Sequence, residues 1–79
     1  MRLDKYLKIS RLIKRRTVAN EACDGGRVTV NGAVAKASRE VKPGDVIEIR
    51  FGERRTCVEV VSVAENVSKT DAPAMYKEL

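Results

Sequence analysis

Residues 11–32, "RLIKRRTVANEACDGGRVTVNG", change their apolar period midway, and that change decides the fold. Val18, Ala19, Ala22 and Cys23 recur at the three- and four-residue steps of one helix face. Val28 and Val30 instead alternate with Arg27 and Thr29, as in a strand. Between the two lies Gly25-Gly26, because glycine takes a left-handed helix cap at little cost. Asn31-Gly32 closes the stretch with the strongest short-range hairpin signal, both residues tolerating positive φ. The stretch reads as helix, cap, strand and tight turn.

Upstream, Leu3, Tyr6 and Leu7 form another apolar face, whose phase slips at Leu12 and Ile13 before the next face begins. The slip predicts two short helices, over residues 3–9 and 16–24, joined by a turn over residues 10–15. It also accounts for Arg2, Lys5, Lys8, Arg11 and Lys14, which recur at every third position. On one straight helix each would lag its predecessor by about 60° and the series would spread around the cylinder. Broken into helix, turn and helix, these residues gather on one side of the domain.

Downstream, Val34 begins a second short strand or extended run. Pro43-Gly44-Asp45 is a turn ahead of a strand through Val46, Ile47, Ile49 and Phe51, and Gly52-Glu53 turns into a further strand over residues 56–63. The expected fold class is α+β: two N-terminal helices packed on a small curved, mainly antiparallel sheet. The domain is expected over residues 1–63. Residues 64–79, with Pro73 and little periodicity, are expected as a loosely docked or flexible tail. Met75, Tyr76 and Leu79 leave open a terminal helical turn or a frayed end.

Charge is as uneven as period. The first sixteen residues hold seven of the sixteen basic residues against one acid, Asp4, a net of +6. The remaining chain carries nine basic and ten acidic residues, so the whole net charge of +5 comes from this segment. An ordinary exposed helix interleaves Glu with Lys for short-range support. A basic face without those partners suits a polyanion. The candidate binding residues are Arg2, Lys5, Lys8, Arg11, Lys14, Arg15 and Arg16. Lys36 and Arg39, in the loop after the hairpin, either extend the face or are ordinary solvated residues.

Composition narrows the chemistry. The chain has no His, which removes Ser/His/Asp and Cys/His dyads, a His general base and most zinc sites. Cys23 and Cys57 are too far apart for a Cys-x-x-Cys motif and read as small buried hydrophobes with reduced thiols. No catalytic residue, metal or cofactor is expected. One Phe, two Tyr and no Trp make an aromatic base-stacking platform improbable. No stretch approaches the ~18 apolar residues of a membrane span, and the start lacks the ~7–15-residue apolar core of a secretory signal. A cytoplasmic protein without a membrane partner is expected.

Taken together, "RLDKYL" (2–7), "SRLIKRRTVANEAC" (10–23), "GRVTVNG" (26–32) and "VKPGDVIEI" (41–49) resemble the small RNA-binding domain named after ribosomal protein S4, also called the αL motif. "FGERRTCVEVVSV" (51–63) and "APAMYKEL" (72–79) extend the resemblance to short, free-standing members of the family. Those act in ribosome-associated quality control and are related to heat-shock protein fifteen. The resemblance implies that the basic residues above form an RNA-binding face, with Arg16 at the family's most recognisable basic position. Asp4 matches the acidic residue at the helix start, where it caps the helix or orients Arg2. Arg15 departs from the pattern, since many members carry Ser or Thr there as a helix cap.

The resemblance further implies a non-enzymatic, monomeric factor for large ribosomal subunits obstructed by peptidyl-tRNA. Its partners would be large-subunit rRNA, P-site peptidyl-tRNA and RqcH, the NEMF-family factor that adds C-terminal alanine tails to stalled chains. A general ribosome-assembly or heat-shock factor stays open. A DNA-binding regulator is disfavoured, because Val18, Ala19, Asn20, Glu21 and Ala22 offer few donors to base edges.

Overall fold

The computed structural model describes residues 1–65 and 67–79. Helices α1 (Leu3–Ile9) and α2 (Arg16–Asp24) open the chain, with the bounds that the apolar spacing predicts. Leu3, Tyr6 and Leu7 of α1 are buried with Ala19, Ala22 and Cys23 of α2. Val18, expected on the same face, is 39% exposed. It lies about 100° around the helix from Ala19, at the edge of the buried stripe. α2 ends where Gly26 N–H bonds to Cys23 O at 3.0 Å and Arg27 N–H bonds to Ala22 O at 2.9 Å. That pair of bonds needs one left-handed residue, and Gly26 supplies it at a φ of 81°.

Five strands follow: β1 (Val28–Val30), β2 (Ala33–Val34), β3 (Val46–Phe51), β4 (Arg54–Val60) and β5 (Tyr76–Glu78). They form one sheet in the order β2-β1-β3-β4-β5, with every neighbouring pair antiparallel. Asn31 and Gly32 take φ values of 53° and 86°, the turn that matches the twist of the flanking strands. Asn31 also donates to Asp45 Oδ1 at 3.1 Å and accepts from Val46 N–H at 2.9 Å, so the two turn motifs lock onto each other.

Alternation divides the sheet into two faces. Val28, Val30, Ile47, Ile49, Val58 and Val60 meet the helices and complete one core with Leu3, Tyr6 and Leu7. Thr29, Glu48 and Cys57 align across β1, β3 and β4 on the opposite face, which no helix among the described residues covers. Cys57 is therefore partly exposed, whereas Cys23 is buried as expected. The register places Cys57 out of phase with Val58 and Val60.

The C-terminal segment corrects the expected domain boundary. Residues Ala72–Met75 form a short 3-10 turn, and Tyr76–Glu78 then pair with β4 as β5. Ala72 and Met75 are buried, and the Tyr6 hydroxyl donates to the Met75 carbonyl oxygen at 2.7 Å. Val61 N–H and Ser62 N–H bond to the same carbonyl at 2.8 and 3.1 Å, which ends β4 at Val60 rather than at residue 63. The domain thus runs beyond residue 63 and includes this last strand.

Candidate nucleic-acid interface

The site begins with the open backbone groups at the start of α1. Leu3 N–H bonds to Arg39 O at 2.7 Å, Asp4 N–H to Ala37 O at 3.2 Å, and Lys5 N–H to Asp4 Oδ1 at 2.8 Å. The last bond draws the Asp4 side chain down to 3% exposure. A carboxylate that deep is stable only if it is paired. Three side chains supply the pairing: Arg2 Nε at 3.2 Å, Arg16 Nε at 3.4 Å and Asn20 Nδ2 at 3.3 Å. Arg2 also donates from Nη2 to the second oxygen at 3.4 Å.

Burial alone would raise the Asp4 carboxyl. Hydrogen bonds from Asn20, the Lys5 N–H and Arg16, together with the Arg16 charge, outweigh burial and hold it below its ordinary value. Asp4 is therefore an ionised anchor at neutral pH, and its main product is the placement of two arginines. Their side chains remain 50% and 48% exposed. Each is held on one edge and keeps further N–H donors for an incoming anion.

The start of α2 adds to this. Arg15 is extended and provides no side-chain cap, so the first-turn N–H groups and the positive end of the helix dipole lie beside Arg15 and Arg16. Thr17, Asn20 and Glu21 line a notch of about 340 Å³ with Asp4 and Arg16. The sequence reading does not single out Asn20 as a site residue, although its spacing of four from Arg16 puts both on one helix face.

The other candidates are distributed around this centre. Lys8, Arg11, Lys14 and Arg15 are exposed, and none makes an ion pair among the described residues. Arg11 crowns the turn between the helices at a φ of 64°. A left-handed backbone costs a residue with a Cβ roughly 1–2 kcal/mol. The turn is held by Arg11 N–H to Lys8 O at 3.1 Å and Ile13 N–H to Leu7 O at 3.0 Å. Lys5 reaches Glu65 at 3.2 Å, which offsets part of its charge. Arg39 is brought beside the start of α1 by its backbone bond to Leu3. Lys36 is exposed and precedes Ala37, whose carbonyl accepts from Asp4 N–H and whose N–H donates to Asp24 Oδ1 at the end of α2.

A basic helix pair with two arginines fixed on a buried carboxylate, seated on a small antiparallel sheet, defines a small RNA-binding module of the α+β class. Within that class the chain belongs to the S4 domain family, whose model matches residues 1–47. Over 77 residues it is 57% identical to the RQC P-site tRNA stabilizing factor of Halalkalibacterium halodurans, covering 98% of this chain and 88% of that one. It is 53% identical to the factor of the same name from Streptococcus pneumoniae, with the same coverage of 98% and 88%. The trimeric structure of heat shock protein 15 from Vibrio cholerae matches with a TM-score of 0.91 at 31% identity, over 100% of this chain and 81% of that one. No helix among the described residues is long and apolar enough to cross a membrane.

Proposed function

We propose that this chain is a non-enzymatic RNA-binding factor of ribosome-associated quality control. It binds large ribosomal subunits obstructed by peptidyl-tRNA, contacts rRNA and steadies the P-site tRNA while RqcH adds C-terminal alanine tails. The observation that carries this reading is the Asp4-anchored pair Arg2 and Arg16, in a chain whose relatives at 57% and 53% identity are named as P-site tRNA stabilizing factors. A guanidinium already bound along one edge loses little further freedom when it grips phosphate. Phosphate contacts position a protein without reading sequence, so selectivity comes from the shape of folded RNA. The contribution is positional: a cytoplasmic monomer on the ribosome, needing no cofactor.

Co-sedimentation with purified large subunits that carry or lack peptidyl-tRNA tests the proposal. Preferential retention on the tRNA-bearing subunits is expected. Equal retention on both would move the function to general ribosome assembly or heat-shock association, the second reading, which the likeness to heat shock protein 15 favours.

A further inference from the structure

Five arginines lie beyond residue 16, and the fold brings four of them, Arg27, Arg50, Arg54 and Arg55, to one end of the sheet. Arg50 pairs with Arg55, and Phe51 with Arg54, across the β3–β4 hairpin. Arg50 N–H bonds to Arg27 O at 2.9 Å, one residue before β1. Val28 and Ile49 point into the core, so Arg27 and Arg50 point the other way, and Arg55 shares that face with Cys57. Arg27, just before β1, thus forms an exposed row with Arg50 of β3 and Arg55 of β4, on the face that no helix among the described residues covers. At the usual strand spacing the row spans about 10 Å.

Folding gains nothing from such a row, because like charges directly opposite on paired strands repel. Glu48 answers it only at 3.7 Å from Arg50 and 3.8 Å from Arg55, too long for hydrogen bonds. Glu53 is the remaining acid at the hairpin tip. Phe51, directly opposite Arg54, is 40% exposed. Phe51 and Arg54 share the alternation of Ile49 and Val58, which puts them on the opposite face from the row, so the row is a purely cationic surface suited to phosphodiester backbone. The cluster is also remote from Arg16. Arg16 opens α2 and Arg27 follows its C-terminal cap, and a nine-residue helix is about 13 Å long.

We propose that this row is a second RNA contact, in which Arg27, Arg50 and Arg55 bind phosphodiester backbone. The inference rests on the RNA-binding reading of the helical face. With it, the chain holds two RNA segments at once, one at each end of α2.

The test places p-benzoylphenylalanine at Thr29, on the same face as the row, and, in a separate protein, at Thr17, and irradiates each on purified large subunits carrying peptidyl-tRNA. Expected are RNA crosslinks from both positions, at non-overlapping nucleotides. A crosslink to RNA from position 17 alone would overturn the second contact and leave the helical face standing. Attachment of position 29 to protein only would assign this face to a protein partner and overturn it equally. No RNA crosslink from either position would overturn both readings. In parallel, Arg50→Ala with Arg55→Ala should make the log–log salt dependence of subunit binding shallower by about 1.4–1.8. Its melting midpoint should be unchanged or higher. An unchanged salt dependence would also overturn the second contact.

Discussion

Replacing Asp4 by Asn takes the net charge from +5 to +6, so a count of charge alone predicts tighter RNA binding. The geometry predicts the reverse. The carboxylate accepts from the Lys5 N–H at 2.8 Å, Arg2 at 3.2 Å, Asn20 at 3.3 Å and Arg16 at 3.4 Å. An amide has one acceptor oxygen and two donor hydrogens, so some of these donors lose their partner or face another donor. The remaining amide oxygen can still accept from the Lys5 N–H, so that bond adds little to the loss. The half-buried Asn20 amide adds about 1 kcal/mol. The two ion pairs, screened because both arginines are half exposed, add about 0.5 kcal/mol each. A total of roughly 2 kcal/mol lowers Tm by roughly 8–16 °C in a domain of this size. Released from Asp4, Arg2 and Arg16 no longer present a fixed pair of donors, and binding weakens despite the added charge. Circular-dichroism melting measures the first effect. Co-sedimentation with large subunits, at a temperature where the variant is folded, measures the second. Tighter binding by Asp4→Asn at an unchanged midpoint would refute the reasoning. The folded carboxyl lies below its ordinary value of 3.8, so its contribution is complete above that pH and is lost as pH falls through the folded value. Acidification should therefore narrow the stability gap between wild type and Asp4→Asn.

Arg11, at a φ of 64°, should tolerate Gly and reject Val: Arg11→Gly should be more stable than Arg11→Val by about 2 kcal/mol in urea titrations, and equal midpoints would show the turn to be unstrained. Tyr6→Phe removes the 2.7 Å bond to Met75 and should cost about 1 kcal/mol, with faster hydrogen exchange at the β4–β5 pairing. Unchanged exchange would mean that packing alone holds the last strand. Burial, reinforced by Tyr76, raises the Tyr6 phenol well above 10.0, so its contribution is present below that pH and lost as the phenol ionises in stronger base. Tyr6→Phe should flatten that alkaline loss in melts recorded against pH. Burial, then the charges of Asp4 and Asp24, push the Cys23 thiol up to about 11. Maleimide at neutral pH should label Cys57 alone in the native protein, and two native adducts would contradict the packing of Cys23.

The helix pair is legible in the sequence because each helix has its own apolar phase and a physical stop, the turn at Arg11 or the Gly25-Gly26 cap. The hairpins are legible where the turn chemistry is explicit, at Asn31-Gly32 and Gly52-Glu53. β5 is not, because three residues with one partly buried side chain carry no alternation to read. Its position depends on Met75 and Tyr6, which are 69 residues apart. At the site, the charge of Arg2 and Arg16 is plain in the sequence, but their convergence on one carboxylate follows from the way α2 crosses α1. Asn20 enters through that same crossing. The arginines of the β3–β4 hairpin escape a count along the chain because nearby acids cancel them there, whereas strand register gathers them in space.

The claim that Asp4 presents Arg16 to RNA phosphate is tested most directly by the salt dependence of binding to large ribosomal subunits, comparing wild type with Arg16→Ala. Loss of one phosphate contact predicts weaker binding, with a log–log slope shallower by about 0.7–0.9. Identical affinity and slope for the two proteins would contradict it.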